Sequence, residues 1–193
     1  MEDMIARAIR GDEKAFEILV NDTQKMVYNI CLKMAGNPED ALDLSQETYL
    51  KAWRALPQYK GESKFSTWLC RIASNTCLDF IRKQNRKKEP DTVSLEEELP
   101  PDRQIADYSR DPGCLLEVSA EKEMVREAFS RLPEEERLLL SLRAFEEMSY
   151  EEIGNALDLK PGTVKSKIFR AREKIRRNLS EKCSSNYLKG GLR

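Results

Sequence analysis

The sequence predicts an all-α protein in which two small helical domains are joined by a flexible acidic linker. Apolar residues recur at helical spacing along most of the chain, but this period disappears over residues 89–117. That stretch contains four prolines and is dominated by acids, so it is too polar to supply a core. We therefore predict an N-terminal domain at 1–88, the linker at 89–117, a C-terminal domain at 118–183 and a disordered tail at 184–193.

Capping residues divide the start of the N-terminal domain into short predicted helices. Gly11 ends the first helix, and Asp12 caps the second. Asn21 or Asp22 is expected to start a third helix, which Gly36 ends. These boundaries follow from local capping preferences alone.

The next predicted helix begins at Asn37-Pro38 and runs to Arg54, because proline is tolerated at the first helical position. Its expected buried side consists of Leu42, Tyr49, Leu50 and Trp53. Another face carries a compact acidic and amide patch at i, i+3 and i+4, formed by Asp43, Gln46 and Glu47. Such a patch is usually only solubilising, and the alternative is a docking surface.

An uninterrupted helical pattern, free of Gly and Pro, runs from Phe65 to Lys88. Its expected buried side is Phe65, Leu69, Ile72, Ala73, Thr76 and Phe80. A second arc of roughly 60° holds Trp68, Arg71, Asn75 and Arg82. A large ring and an amide beside cations suit unstacked bases and phosphates. The other interpretation makes Trp68 a core edge and the cations a solvated face. Cys70 and Cys77 fall outside both faces.

A loop with Pro, Gly and Ser leads into this helix and ends at Lys64. Three of its residues, Tyr59, Lys60 and Gly61, lie beside the Trp68 arc and are suited to form a pocket for one extruded base. The alternative is that the loop is only a connector.

The C-terminal domain has the pattern of a helix-turn-helix, in which a short helix, a tight turn and a basic helix follow one another. The predicted elements are an amphipathic helix over 121–132, a helix opened by Pro133, a short helix started by the capping box Ser149–Glu152, a turn over 159–162 and a last helix from Thr163.

The last helix has two distinct sides. The predicted buried stripe is Val164, Ile168, Ala171 and Ile175, and the opposite side carries Ser166, Phe169, Arg170, Glu173 and Arg177. Phe169 is the informative residue, because it lies more than about 120° from the stripe, where a core aromatic is not expected. An exposed ring beside Ser and Arg is what a major-groove reader presents. The alternative is a Phe partly packed against the first helix of its own domain.

Charge is strongly segregated, although the formal net charge is only −1. Residues 60–88 contain eight bases against two acids, and residues 160–182 contain nine bases against two acids. Between them, residues 89–117 contain nine acids against two bases. Two basic patches of this kind predict two contact surfaces for a polyanion.

Several functional classes are disfavoured by what the sequence contains. The chain has no histidine and five cysteines, an odd number without a C-x-x-C pair, so we expect no metal site, no disulfide framework and no cofactor. The sequence contains neither a Gly-rich phosphate loop nor a paired nucleophile and base, so an enzyme is disfavoured. Because no apolar run reaches membrane-spanning length and the N-terminus is acidic, we expect a soluble cytoplasmic protein without membrane insertion.

Three segments in this order closely resemble a bacterial RNA polymerase sigma factor of the sigma-70 family, extracytoplasmic-function group. Residues 43–54 resemble the helix of the family's second conserved region, and residues 65–76 resemble its promoter-melting helix. Residues 161–174, PGTVKSKIFRAREK, resemble its C-terminal DNA reader. The resemblance covers nearly the whole chain and implies that 1–88 is similar to sigma region 2 and 118–183 to sigma region 4.

The resemblance implies core RNA polymerase and promoter DNA as partners, and a function in promoter recognition and melting. The acidic and amide patch would dock on a coiled coil of the largest polymerase subunit, with further contacts to other core surfaces. The residues implied at the −10 element are Tyr59, Lys60, Gly61, Trp68, Arg71, Asn75 and Arg82. Those implied at the −35 element are Thr163, Lys165, Ser166, Phe169 and Arg170. An anti-sigma factor is a further expected partner, since relatives are usually held by one.

Two other functions compete with this interpretation. A stand-alone helix-turn-helix transcriptional regulator would use only the C-terminal reader and leave the acidic and amide patch and the Trp68 arc unexplained. A helical adaptor that binds only protein would leave the two basic patches unexplained.

Overall fold

The structure is a computed structural model that describes residues 2–88 and 115–190, with side chains described over 2–86 and 123–180. Its elements in the described part are α1 (Glu2–Ile9), α2 (Glu13–Ala35), α3 (Pro38–Ala55), a 3-10 turn (Leu56–Gln58), α4 (Phe65–Lys88), α5 (Leu115–Ser130), α6 (Glu134–Ala144), α7 (Tyr150–Leu157) and α8 (Pro161–Gly190). The predicted all-α class is confirmed, with two helical domains. Most of the predicted linker, residues 89–114, lies outside the described residues. No helix in the described ranges has the length and apolar character needed to cross a membrane.

Helix α2 is one continuous helix, and the predicted break at Asn21 or Asp22 is wrong. The expected cap at Asp12 is present, since its carboxylate accepts from the backbone of the first turn. Asn21 and Asp22 are exposed in the middle of the helix, and the Thr23 hydroxyl donates to the carbonyl of Leu19 at 2.6 Å. The buried stripe continues through this point, and its packing outweighs the local preference of Asn and Asp for caps.

Helix α3 begins as predicted, with the Asn37 side chain accepting from the backbone N–H of Asp40 at 2.8 Å. Its buried side differs from the prediction, because Leu42 and Leu50 are 53% and 59% exposed. The face toward the core is instead formed by Ala41, Leu44, Thr48 and Ala52. Three of these four residues are small, which lets α3 lie close against α2 and leaves the two large leucines outside.

Helix α4 has the predicted bounds, and its buried face is wider than predicted. Of the expected buried residues, Ile72 and Phe80 are half-buried and the rest are buried. Cys70 and Cys77 lie in the core as well, contrary to the sequence interpretation, because α4 packs against both α2 and α3. The Cys77 thiol donates to Cys31 Sγ at 3.8 Å, and burial raises the pKa of Cys70 to about 12.

The C-terminal domain is built on α6, whose leucines at 138, 139, 140 and 142 are all buried. Helices α7 and α8 pack on it and on each other. The capping box of α7 is complete: Ser149 Oγ accepts from the Glu152 N–H, and Glu152 Oε2 accepts from the Ser149 N–H. The predicted helix-turn-helix therefore forms, with its short helix starting where the sequence indicates.

The turn of this motif lies earlier than predicted. Asp158 takes the left-handed conformation at φ 56°, and α8 begins at Pro161 rather than at Thr163. Proline is pre-organised for a first helical position, so it opens the helix instead of belonging to the turn. At its other end α8 continues through 184–190, so the predicted disordered tail is wrong over these residues. That stretch has no proline and no glycine before Gly190, so nothing in it stops the helix.

In the described residues, the two domains pack against each other over several helices. Helix α6 contacts α2, and α7 contacts α4. At the first contact, the Lys33 ammonium lies 4.2 Å from the centre of the Phe145 ring. Desolvation at this contact lowers the pKa of Lys33, and the nearby Arg126 lowers it further.

Candidate functional site

The acidic and amide patch is displayed on the solvent side of α3. Asp43, Gln46 and Glu47 are all exposed, as the spacing predicts. Leu42 and Leu50 flank them on the same side, at i−4 and i+4 from Gln46. This surface, named the α3 patch here, therefore combines negative charge with two exposed apolar side chains, a combination suited to a partner helix that is basic and apolar.

The sequence pattern predicted that the two leucines of the α3 patch are buried, whereas both are exposed. Their spacing from Gln46 was a usable signal, since residues at i, i+4 and i+8 share one face of a helix. The Glu47 carboxylate is also less available for contact with a partner than the sequence indicates. Its carboxylate lies 2.8 Å from Lys51 Nζ, in an ion pair of i,i+4 spacing.

Three aromatic rings support the loop that precedes α4. Trp68 lies 5.2 Å from Tyr59 and 5.5 Å from Phe65, measured between ring centres, and Tyr59 is 6.0 Å from Phe65. The Tyr59 hydroxyl donates to the Ser63 carbonyl at 2.6 Å, which closes the loop. Gly61 has φ 73°, a left-handed value that glycine adopts readily. The loop is thus held by the Tyr59 hydrogen bond and by packing of the Tyr59 ring on the first residues of α4.

This arrangement decides what each predicted residue of the loop can do. Lys60 and Gly61 are exposed at the loop surface, whereas Tyr59 and Trp68 are half-buried. Burial of the Tyr59 ring raises the pKa of its phenol, and the neutral hydroxyl acts as a hydrogen-bond donor. The structure brings the half-buried rings of Tyr59 and Trp68 together near the exposed Lys60, a combination of rings and a cation that suits contact with an unpaired base.

Arg71 and Asn75 lie one turn apart on α4 and line one cleft of about 470 Å³. The opposite wall of this cleft belongs to the C-terminal domain and includes Ala156, Asp158 and Lys167. Arg71 Nε donates to the carbonyl oxygen of Ala156 at 3.1 Å. Arg71 and Asn75 are therefore placed together as their spacing predicts, but they face another part of the same chain.

Arg82 lies two helical turns beyond Asn75, about 10 Å farther along α4. Its guanidinium is 3.5 Å from the Asp79 carboxylate and is more than half exposed. Lys83 and Arg86 are exposed next to it. This end of α4 presents positive charge without an aromatic partner, which suits contact with phosphates rather than with bases.

The outer side of α8 presents the predicted reader residues. Lys165, Ser166, Phe169 and Arg170 are exposed, with Phe169 63% exposed, and Thr163 is half-buried. The predicted stripe packs inward, since Val164, Ile168 and Ala171 are buried and Ile175 is half-buried. The Ser166 hydroxyl donates back to the Thr163 carbonyl at 3.0 Å. A ring, a guanidinium and an ammonium therefore project together from the first three turns of a helix.

Two ion pairs position α8 against α6. Lys167 Nζ lies 2.5 Å from a Glu135 carboxylate oxygen, and Lys174 Nζ lies 2.8 Å from Glu136. Both glutamates lie in the first turn of α6, where negative charge also stabilises the helix dipole. The ion pairs with these glutamates use the two half-buried lysines of α8. The basic residues on the outer side of α8 therefore remain available to a partner.

Comparisons with protein families match both domains. Residues 19–87 match the model described as Sigma-70 region 2, and residues 122–175 match the model described as Sigma-70, region 4. The chain is 35% identical over 176 residues to the RNA polymerase sigma-H factor of Pseudomonas aeruginosa. The matched region covers 90% of this chain and 91% of that protein. It is also 35% identical over 191 residues to the ECF RNA polymerase sigma factor SigW of Bacillus subtilis, over 94% of this chain and 100% of that one.

Solved structures with the same fold include two that were determined as complexes. CnrH, solved in complex with the cytosolic domain of CnrY, is 25% identical with a TM-score of 0.66, over 92% of this chain and 96% of that one. The sigma factor RpoE of Bartonella quintana, solved with the anti-sigma factor NepR, has a TM-score of 0.66 at 23% identity and covers 86% of this chain and 98% of that one. The second likeness concerns the fold alone.

Proposed function

Because this chain belongs to the sigma-70 family and is a sigma factor of the extracytoplasmic-function group, we propose a division of its surfaces among the steps of transcription initiation. Its function is to direct RNA polymerase to promoters. Like other sigma factors, it is not an enzyme. Its partners are core RNA polymerase and promoter DNA. We infer that it acts in the cytoplasm, together with the polymerase.

The α3 patch is the proposed docking surface for core polymerase. Asp43, Gln46 and Glu47 would contact a coiled coil of the largest subunit, as the family resemblance implies, and Leu42 and Leu50 would add apolar contact. The support is their common exposure on one side of a helix whose other side is buried. Exposed leucines beside charges are typical of an interaction site rather than of a solubilising face.

The loop before α4 and the first half of α4 are the proposed −10 surface. Tyr59, Lys60 and Gly61 would hold a base flipped from the non-template strand, and Trp68 would stand at the edge of the melted region. Support comes from the packed rings of Tyr59 and Trp68 beside an exposed lysine. Arg71 and Asn75 would contact neighbouring nucleotides.

Arg82 and the basic end of α4 are assigned to phosphates in this proposal. Melting needs no catalytic group in such a site. Unstacking costs a few kcal/mol per base, and capture of the flipped base by stacking and hydrogen bonds offsets that cost.

The outer side of α8 is the proposed −35 reader. Phe169 would contact thymine methyl groups, Arg170 would reach a guanine edge, and Lys165 would neutralise phosphate. Thr163 and Ser166 stand at the start of the same helix, where the backbone and short hydroxyl side chains can approach the DNA closely. The observation that carries this assignment is the 63% exposure of Phe169 beside these polar residues.

Domain boundaries follow the same division. Residues 1–88 would dock on polymerase and melt the −10 element, and 118–183 would read the −35 element, with α5 extending the second unit back to Leu115. Linking two weak DNA contacts raises their effective concentration, so that together they bind strongly.

An anti-sigma factor is a further proposed partner. Of the structural neighbours, the Bartonella quintana sigma factor was solved with the anti-sigma factor NepR, and CnrH was solved with the cytosolic domain of CnrY. The same two-domain fold in this chain offers comparable surfaces. Co-purification of the tagged chain from its host, with mass spectrometry of bound proteins, tests this part of the proposal.

The experiment that tests the overall assignment compares promoter binding with and without core polymerase. Labelled duplex promoter should show specific binding only when core polymerase is present, because a sigma factor of this kind requires the assembled holoenzyme. Specific binding by the purified chain alone, unchanged on adding core polymerase, would favour the stand-alone helix-turn-helix regulator instead.

A further inference from the structure

Two buried thiols meet between α2 and α4. Cys31 lies near the end of α2, Cys77 lies in the middle of α4, and both side chains are fully buried. The Cys77 thiol donates to Cys31 Sγ, and the two sulfur atoms are 3.8 Å apart. Both cysteines are free thiols in this structure. Their sulfur atoms are therefore in direct contact, although the two residues are 46 positions apart in the chain.

Formation of a disulfide bond would require only a small approach of these two sulfur atoms. A disulfide bond is ~2.05 Å long, so the atoms would have to move together by about 1.8 Å from their present separation. Helices α2 and α4 pack directly against each other. Rotation of the two short side chains can therefore supply most of the approach, and the helices themselves need to shift little.

The surroundings of the pair give its two members different reactivity. The hydrogen bond from Cys77 lowers the pKa of Cys31, and the nearby hydroxyls of Ser45 and Thr48 lower it further, although burial opposes them. The same hydrogen bond, together with burial, raises the pKa of Cys77. Because the thiolate rather than the thiol is the nucleophile, Cys31 is the member that reacts first with an oxidant.

Cys70 provides an internal comparison, because it lies two turns before Cys77 on the same helix and is also buried. Its thiol donates to Met26 Sδ at 3.6 Å, and a thioether sulfur cannot form a disulfide. Burial raises the pKa of Cys70 to about 12. Both cysteines of α4 therefore share a buried position, whereas contact with a second thiol distinguishes Cys77.

A metal site is a poorer use of the two thiols. Structural zinc is held by four ligands, and within the ranges that the structure describes no group of three or more His, Cys, Asp or Glu side chains could hold a metal ion. A role in packing alone would leave the thiols unreactive, and this outcome is distinguished by the test below.

We propose that Cys31 and Cys77 form an oxidation site, at which a hydroperoxide converts the two thiols into a disulfide that ties α2 to α4. With hydrogen peroxide, the Cys31 sulfur attacks one oxygen and the O–O bond breaks. The other oxygen leaves with the thiol proton as water, and Cys31 becomes a sulfenic acid. The Cys77 sulfur then attacks the sulfenic sulfur, the S–O bond breaks, and a second water leaves with the Cys77 proton. Two thiols and one peroxide thus yield one disulfide and two waters.

The disulfide would stabilise the N-terminal domain. It would close a loop that spans 46 positions and contains α3, which restrains the unfolded chain. The α3 patch would stay free, because the cross-link lies in the core and the patch is exposed. In a reducing cytoplasm, such a bond lasts only while oxidant is present. The inference is independent of the proposed −10 and −35 assignments.

Treatment of the full chain with hydrogen peroxide, followed by peptide mapping without reduction, tests the proposal. The reaction should be slow, because the oxidant reaches buried sulfur atoms only through local opening. The expected product is a pair of peptides joined through Cys31 and Cys77, which a thiol reductant separates. Cys70→Ala is the matched control and should give the same joined pair. Cys77→Ala should not give it.

The melting temperature is a second measurement, and for the wild-type chain it requires no variant to fold. The oxidised chain should melt at least about 3 °C above the reduced chain. Oxidation of Cys77→Ala should produce no such rise. Wild-type chain without the joined peptides, or with other cysteine pairs in equal amount, would overturn the oxidation site. Joined peptides with an unchanged or lower melting temperature would overturn the stabilising tie between α2 and α4.

Discussion

A Cβ atom placed on Gly154 would lie 2.5 Å from the carbonyl oxygen of Leu159. The Leu159 N–H in turn donates to the Gly154 carbonyl at 2.9 Å, so the chain folds back tightly on the last turn of α7. Asp158 makes this possible by taking the left-handed conformation between them. The close approach sets the angle at which α8 leaves the turn and thus the direction in which the proposed −35 reader faces.

Gly154→Ala should destabilise the C-terminal domain by about 1–3 kcal/mol, because the added methyl group meets backbone that cannot move aside cheaply. Urea unfolding followed by circular dichroism measures the change. The control is Gly162→Ala, where a Cβ meets nothing within 4 Å. That variant should be neutral or slightly stabilising. Equal stability of the two variants would contradict the role given to Gly154.

Leu50→Ala should weaken binding to core polymerase by about 1–2 kcal/mol without changing the free energy of unfolding. The reason is that Leu50 is exposed on the α3 patch and contributes little to the core. Competition binding to core polymerase measures the affinity. Ile18→Ala removes a similarly exposed apolar side chain from α2, outside the patch, and should have no effect. If both variants lose affinity equally, the patch is not the docking surface.

Arg170→Ala should cost about 1–3 kcal/mol in promoter recognition and relax the preference at one upstream base pair. Transcription from a set of promoters that differ at single −35 positions measures this change. Arg131→Ala removes the same charge from an exposed site away from the outer side of α8 and serves as the control. A uniform fall in transcription from every promoter would show that Arg170 is not the reader.

Asn75→Ala should leave polymerase binding intact and impair open-complex formation. Asn75 is exposed on α4, so its loss affects contacts with the melted strand rather than the fold. Permanganate reactivity of unpaired thymines measures melting in the holoenzyme. Asn21→Ala, which removes an exposed amide from α2, should melt the promoter like wild type. Unchanged melting in Asn75→Ala would remove this residue from the −10 site.

The contact between Lys64 and Glu152 predicts a specific pH dependence. The pKa of Glu152 is lowered to about 2, chiefly by Lys64, from the 4.5 of an ordinary glutamate. A lowered carboxyl pKa stabilises the contact fully above pH 4.5, and the stabilisation is lost as pH falls toward 2. Titration of the side-chain carboxyl by carbon NMR should show this value, and Lys64→Gln should raise it. A midpoint near 4.5 in wild type would contradict the ion pair.

Local signals predicted most element boundaries correctly. Asp12, Asn37 and Ser149 each accept a hydrogen bond from the first turn of the helix they cap, and this chemistry depends only on neighbouring residues. Asn21 and Asp22 carry the same signal but lie inside α2. Whether such a residue caps a helix or continues it depends on the packing of the turns around it, which local sequence does not contain.

The candidate sites divide in the same way. Helical periodicity places Arg71 and Asn75 on the same side of α4, and Phe169 and Arg170 on the same side of α8. The sequence therefore predicts both pairs. The hydrogen-bond acceptor of Arg71 is the Ala156 carbonyl, which is 85 residues away in the chain. Contacts of this range depend on how two domains approach each other, and neither spacing nor composition reveals them. The exposure of Leu42 and Leu50 was missed for a related reason, since it follows from how closely α3 lies against α2.

Run-off transcription on a library of genomic fragments tests the central claim most directly. Core polymerase with this chain should produce transcripts from discrete start sites that share one −10 and one −35 sequence, and core polymerase alone should not. Those two shared elements would also provide the duplex for the binding experiments above. Transcripts that are identical with and without the chain would contradict its function in promoter recognition.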